Sequence, residues 1–280
     1  MTNAVSQSVL SPFFLSGSRA KLFSLYTAPA QKPLPEHFIV FFPPFAEENN
    51  KSRRMVSLQA KKFAAIGYGV LMVDPFGTGD SEGNFGDASW NIWQQDVECI
   101  RQWLDQQGAK QITLWGLRFG ALFALHMVSV FSDVLDRLLL WQPVIRGELM
   151  MSQFLRLRMA ADMIGSGEKV TVRDLRRQLE SGKQIEVAGY ELSPQLVAGI
   201  DKLNLLNMKF ESLPAIDWFE ILASEEQNLS PISQKVLDAW DNDKLQVHTV
   251  IGEPFWVTPE ITTLPVLLEK TTACLGGVDG

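Results

Sequence analysis

The sequence predicts an α/β protein, a mostly parallel sheet of eight strands with helices packed on both faces. Three observations lead there. Short apolar runs alternate with longer segments of helical periodicity, the mark of repeated strand–helix–strand units. Two of those runs, Phe38-Ile39-Val40-Phe41-Phe42 and Leu138-Leu139-Leu140-Trp141, are apolar without alternation, as central parallel strands covered on both faces must be. The composition, 46% hydrophobic and 20% charged over 280 residues, supplies a large core and excludes a mainly disordered chain.

The expected strands are residues 13–16, 21–26, 38–42, 70–73, 111–115, 138–141, 216–222 and 245–251. The first two are joined tightly through Gly17-Ser18 and read as a hairpin, so the sheet opens on an antiparallel edge. A helix over 50–66 stops at Gly67 and another over 89–107 stops at Gly108, since glycine tolerates the left-handed backbone at a helix end. The second aligns Trp90, Trp93, Val97, Ile100 and Leu104 on one stripe, a core face. Residues 119–131 are apolar nearly all round and predict a buried helix, with His126 a satisfied core histidine. Strand rhythm then stops between Trp141 and Ile216, leaving a helical insertion of about 70 residues whose expected use is a lid over a pocket. The chain thus divides into a core of residues 1–144 and 214–280 and a helical lid of residues 145–213.

Charge and cysteine usage exclude several classes. Asp+Glu is 32 against Lys+Arg 25, so a nucleic-acid partner is not expected. Cys99 and Cys274 form no disulfide framework, His37, His126 and His248 offer no ligand spacing, and neither a metal nor a cofactor is expected. The longest apolar stretch, residues 121–131, is shorter than the ~20 residues of a membrane span. The first twenty residues lack a secretion signal, which makes the cytoplasm the expected compartment.

Two frames carry the chemistry. Strand 111–115 runs through Gly116-Leu117-Arg118-Phe119-Gly120-Ala121 into the buried helix, the frame of a G-x-S-x-G nucleophile elbow with Arg118 where the serine belongs. After the fourth strand, Val73-Asp74-Pro75-Phe76-Gly77-Thr78-Gly79-Asp80-Ser81 resembles the D-x-x-G-x-G-x-S turn common in α/β hydrolases. A dinucleotide fingerprint would need glycine where Glu82 stands. On these frames the chain resembles the α/β-hydrolase superfamily over nearly its whole length. The run Pro43-Pro44-Phe45-Ala46-Glu47-Glu48-Asn49-Asn50-Lys51-Ser52-Arg53-Arg54-Met55, with Gly252-Glu253-Pro254-Phe255-Trp256, resembles the second type of exosortase system-associated hydrolase. That family is encoded beside exopolysaccharide and protein-sorting genes in Gram-negative bacteria. The resemblance implies a nominal ester or thioester (acyl) hydrolase.

The serine triad of this fold runs Ser, then Asp or Glu, then His. Arg118 stays protonated and cannot attack a carbonyl. The acid belongs after the seventh strand, where Glu225 or Glu226 stands, and the loop after the eighth holds Trp256 and no histidine. His248 lies inside the preceding strand. Losing a nucleophile or base costs about 10⁶ in turnover and leaves roughly 10³–10⁴ from the oxyanion hole and binding, so classical serine hydrolysis would be negligible.

The oxyanion hole of this fold would fall on the N–H groups of Phe119 and about Phe45. A guanidinium between them turns a site for a transient oxyanion into one for a standing carboxylate or phosphate. The predicted ligand-binding set is Phe45, Glu47, Glu48, Arg118, Phe119 and Trp256, and a non-classical catalytic arrangement would draw on Glu47, Glu48 or Glu225. An internal ion pair from Arg118 to Glu47 or Glu48 is the competing structural reading. The expected partners are an anionic or acyl small molecule, or a neighbouring hydrolase-like protein. Lys51, Arg53 and Arg54 read as a solvated helix start, Ser81 as a residue bonded to its own turn, and Cys99 as packing.

Overall fold

A computed structural model describes residues 9–29, 35–165, 170–209, 214–240 and 243–276. The hairpin β1 (Val9–Ser16) and β2 (Lys21–Ala28) leads into β3 (His37–Phe42), helix α1 (Glu47–Ala65), β4 (Gly69–Val73), α2 (Trp90–Gln106), β5 (Gln111–Leu117), α3 (Phe119–His126) and β6 (Leu135–Trp141). Then come α4 (Gly147–Gly165), α5 (Val172–Glu180), a small hairpin of β7 (Ile185–Val187) and β8 (Tyr190–Leu192), and α6 (Pro194–Asp201). β9 (Ala215–Leu222), α7 (Pro231–Ala239), β10 (Leu245–Ile251) and α8 (Pro265–Leu275) complete the chain.

The large sheet has eight strands in the order β1-β2-β4-β3-β5-β6-β9-β10, as expected. β1 and β2 pair antiparallel, β2 and β4 likewise, and every pair from β4 to β10 is parallel. Side chains along each central strand alternate between two faces, and each face has its own core. Val40, Leu114, Leu140 and Trp218 pack with Trp93, Val97 and Phe123 of α2 and α3. Ile39, Trp115, Leu139 and Phe219 pack with Met55 and Phe63 of α1 and Leu267 of α8. Trp115, Trp141 and Trp218 are fully buried, and truncating a buried tryptophan costs about 3–5 kcal/mol.

Helix ends follow local chemistry. Ser89 caps α2 by accepting from Ile92 N–H, and Thr171 with Asp174 makes a reciprocal capping box on α5. Two expectations are corrected. The apolar run 119–131 is a helix only to His126, then a 3-10 turn Val128–Phe131. The interval between β6 and β9 does contain strands. Its hairpin turns at Ala188 (φ 49°) and Gly189 (φ 85°), a pair of left-handed residues whose usual Asn-Gly signature is missing from the sequence.

The two ends of the segment between β6 and β9 meet each other, where Gly147 N–H donates to Leu203 C=O at 2.9 Å and Leu205 N–H to Ile145 C=O at 2.9 Å. The expected end of the insertion at residues 210–213, and both expected chain ends, lie outside the described residues. Among the described residues no helix is long and apolar enough to cross a membrane.

Register decides where the site forms. Phe42 lies opposite Gly116, so the loop after β3 and the elbow after β5 emerge side by side from the same sheet edge.

Candidate functional site

The elbow is built as the frame predicts. β5 ends at Leu117, α3 begins at Phe119, and Arg118 between them has φ 56° and ψ −116°. Such a backbone costs a non-glycine residue about 1–3 kcal/mol and persists only where neighbours impose it. Here they do. A Cβ on Gly116 would meet Ala121 at 2.5 Å, and one on Gly120 would meet Phe42 O at 1.9 Å, so strand and helix are locked at a separation only glycines allow. Arg118 N–H donates to Trp141 C=O at 2.9 Å, and its carbonyl accepts from Val144 N–H at 3.2 Å.

The loop after β3 makes an almost identical turn, with Ala46 at φ 52° and ψ −125°. α1 therefore starts at Glu47, three residues before its expected start, and both Glu47 and Glu48 occupy its first turn, where the helix end favours negative charge. Glu48 faces the elbow: Arg118 Nε donates to its Oε1 at 3.5 Å, while the guanidinium lies 5.3 Å from the Trp256 ring centre. Arg118 and Glu48 side chains are 21% and 23% exposed, so the pair is half-buried. Burial raises the Glu48 carboxyl above 4.5, and the attraction and hydrogen bond of Arg118 pull it back only in part. Glu47 is engaged elsewhere, accepting from Asn50 Nδ2 at 2.9 Å and from the Tyr190 hydroxyl at 3.3 Å. Lys51 Nζ donates to Pro259 C=O at 2.8 Å.

A cavity of about 340 Å³ opens over this pair, lined by the expected Phe45, Glu47, Glu48, Arg118 and Trp256, with Lys51, Gln153 and Val257. Met150, Phe154 and Leu157 of α4 form its other wall. Sequence reasoning misses those three, yet their spacing of four and then three residues is a helical stripe that points to one surface. Phe119, expected in the ligand-binding set, does not line this cavity; its ring lies 5.7 Å from that of Phe45, and Phe45 also touches Phe85 at 5.7 Å and Phe154 at 5.2 Å. Among the described residues neither Phe45 N–H nor Phe119 N–H has a hydrogen-bond acceptor. No acidic residue occupies the first turn of α3.

The remaining candidates lie apart from the cavity. Glu225 is exposed on the turn after β9 and does not line it. Ser81 bonds its own turn, donating to Asp74 C=O at 2.5 Å and accepting from Phe23 N–H at 2.8 Å. Asp74 Oδ2 accepts from Asp80 N–H at 3.0 Å and pairs with Arg53, and Gly79 is glycine because a Cβ there would fall 2.0 Å from that oxygen. Cys99 is partly buried, and His126 Nδ1 lies 2.9 Å from Leu122 O.

His248 has partners that sequence spacing hides. Its Nε2 is 2.8 Å from Asp217 Oδ1 and 3.6 Å from Cys274 Sγ, and Asp217 Oδ2 accepts from Arg137 Nη1 at 2.6 Å. These residues do not make a displaced cysteine triad. Thiol and carboxylate converge on one imidazole nitrogen, whereas a relay needs both. Burial and then Asp217 push the Cys274 thiol up to about 12, far from a nucleophilic thiolate. Asp217 is level with Leu139, and Leu139 with Trp115, three residues down the sheet from the elbow.

Known proteins share this architecture. Est1E from Butyrivibrio proteoclasticus, in a structure with ferulic acid bound, aligns with a TM-score of 0.68 at 14% identity, covering 94% of this chain and 97% of Est1E. The mouse α/β hydrolase domain-containing protein 10 aligns at 0.59 with 14% identity and coverage of 95% and 96%. XC6422 from Xanthomonas campestris, an α/β serine hydrolase without a lid, aligns at 0.56 with 13% identity and coverage of 97% for both chains. At such identities the likeness is one of fold. No curated protein matches the sequence. Residues 35–199, more than half of the chain and the part that contains both sequence frames, match the model of the serine aminopeptidase, S33, family. With that match joined to an elbow in its strand–turn–helix setting, the chain belongs to the S33 family of α/β hydrolases.

Proposed function

We propose that this α/β hydrolase holds a small organic anion, a carboxylate or phosphate on an apolar body, in the cavity over Arg118, and does not run the serine mechanism of its superfamily. One observation carries the reading. Among the described residues the Arg118 side chain hydrogen-bonds only Glu48, through Nε, which leaves Nη1 and Nη2 free as a planar fork beside the cavity. The N–H groups of Phe45 and Phe119 and the positive end of α3 add attraction for negative charge. Phe45, Phe154, Leu157 and Trp256 suit an apolar or aromatic body, and ferulic acid, found with Est1E, is an aromatic carboxylic acid of that kind. The insertion serves as the cover of the site. The run 43–55 and the 252–256 segment support an exosortase-linked setting, with the neighbouring hydrolase-like protein as a further candidate partner.

Ferulate, octanoate and inorganic phosphate are the probes, read by thermal melting. A ligand at 100 times its Kd adds about 2.7 kcal/mol of stability. The expected result is a rise with at least one carboxylate that disappears in Arg118→Ala, together with silence on aryl ester and thioester substrates. No rise with any probe, or a rise unchanged in Arg118→Ala, overturns the reading.

A second reading rests on Glu48. Its raised carboxyl moves toward the range of a general base, which favours hydrolysis of an acyl substrate through an activated water. Turnover lost in both Arg118→Ala and Glu48→Ala would select it.

A further inference from the structure

We propose that Asp217, His248 and Cys274 form a site for one divalent transition-metal ion, with zinc the best-fitting occupant, that fastens α8 to the sheet. The three come from β9, β10 and α8, and their donor atoms lie within 4.8 Å of one another. A thiol, an imidazole and a carboxylate are the N, S and O ligands that zinc takes, whereas calcium and magnesium prefer oxygen alone. In tetrahedral zinc geometry a coordinated sulfur and nitrogen are about 3.6 Å apart, and Sγ and Nε2 already stand at 3.6 Å. The coordinated oxygen and nitrogen would be about 3.4 Å apart, so the 2.8 Å contact of Oδ1 with Nε2 opens by about half an ångström as the ion enters.

The surroundings hold the donors in place. Arg137 anchors the other oxygen of Asp217, which fixes Oδ1 toward the site as an outer-shell partner does. The His248 ring stacks on Phe219 at 4.6 Å. Asp217 is 1% exposed and His248 22%, so the site has a buried floor and an open side for the ion and a fourth ligand, water. On binding, the Cys274 thiol releases its proton to solvent and the imidazole carries its proton on Nδ1. Carboxylate and thiolate then balance the two charges of the ion. α8 already bonds the sheet through Thr271, which accepts from Trp141 Nε1 at 3.0 Å, and the ion would add a bond one turn further on. The site shares no residue with the lining of the Arg118 cavity, so either assignment can fail without the other.

Cobalt(II) titrated into the whole chain, followed by thiolate-to-cobalt absorption in the near ultraviolet, tests the site, with zinc(II) competition to give affinity. One equivalent should produce the band and zinc should bleach it. Cys274→Ser should abolish the band, Cys99→Ser should leave it, and His248→Ala should weaken binding by more than about 100-fold, beyond the loss of an outer-shell partner. In the unsubstituted chain, zinc should also slow alkylation of Cys274 and leave that of Cys99 unchanged, a readout independent of any variant's folding. Absence of the band, its survival in Cys274→Ser, or alkylation of Cys274 indifferent to zinc would each overturn the proposal.

Discussion

Replacing Arg118 by alanine should destabilise the protein in a way that depends on pH, and the structure sets the size. Two unit charges at 3.5 Å attract by about 5 kcal/mol at an effective dielectric constant of 20. The contact is long and both groups keep about a fifth of their surface in water, so about 1–1.5 kcal/mol is the net value. The Trp256 contact adds about 0.5–1 kcal/mol. The sum, about 2 kcal/mol, corresponds to about 4 °C in Tm for a chain of this length. Its pH dependence follows from Glu48. The folded carboxyl titrates above its ordinary 4.5, so it binds its proton more tightly folded than unfolded, and its ionisation subtracts stability as pH rises through the folded value. Arg118 offsets part of that loss. Melting curves should therefore differ by ~1 °C well below the ordinary carboxylate range, where Glu48 holds its proton, and by ~4 °C at about pH 8. Adding Glu48→Gln to Arg118→Ala should flatten the profile. An equal Tm gap at both pH values, or no flattening by Glu48→Gln, would refute the coupling.

Gly120→Ala should cost at least about 3 kcal/mol in denaturant unfolding, because the new methyl meets the Phe42 carbonyl and no side chain is there to yield. Asp217→Ala should cost about 3–5 kcal/mol, because Arg137 and His248 lose a shared buried acceptor. Burial works to raise the Asp217 carboxyl, but bonds from His248 and Arg137 outweigh it and hold it below 3.8, so its contribution is complete above about pH 4 and fades as acid brings pH through the folded value. Acid titration of Tm in wild type and variant measures the difference. Trp256→Ala should lower Tm, because the ring is buried against Phe255, and in the fraction that stays folded weaken carboxylate binding by about 5-fold through loss of the ring beside Arg118.

Much of the frame is legible in residue order, and the parts that are not have physical reasons. Central strands such as Phe38 to Phe42 announce themselves because both faces are buried. The elbow is legible because Gly116 and Gly120 answer to steric demands that do not depend on the residue between them. The β7–β8 hairpin is hidden because Ala188-Gly189 makes a left-handed turn without the usual residues, and two strands of three residues are too short to show alternation. The start of α1 is missed because no side chain caps it. The pairing of Arg118 with Glu48 in preference to Glu47 depends on one helical step, 100° of rotation, which residue order does not resolve. Asp217, His248 and Cys274 are 31 and 26 residues apart, and only the parallel pairing of β9 with β10 and the return of α8 bring them together.

Phe45 sets its ring edge to face against Phe85, Phe119 and Phe154, which belong respectively to the turn before α2, the elbow helix and the insertion. Three segments far apart in the chain thus share one keystone. None of them can swing outward without stripping an aromatic partner from Phe45 and so loosening its hold on the other two, which couples local opening of the three. Amide exchange at the elbow and in α4 should accordingly proceed at a common rate, and a guest that wedges Phe154 aside will be sensed at the Phe119 amide without touching it.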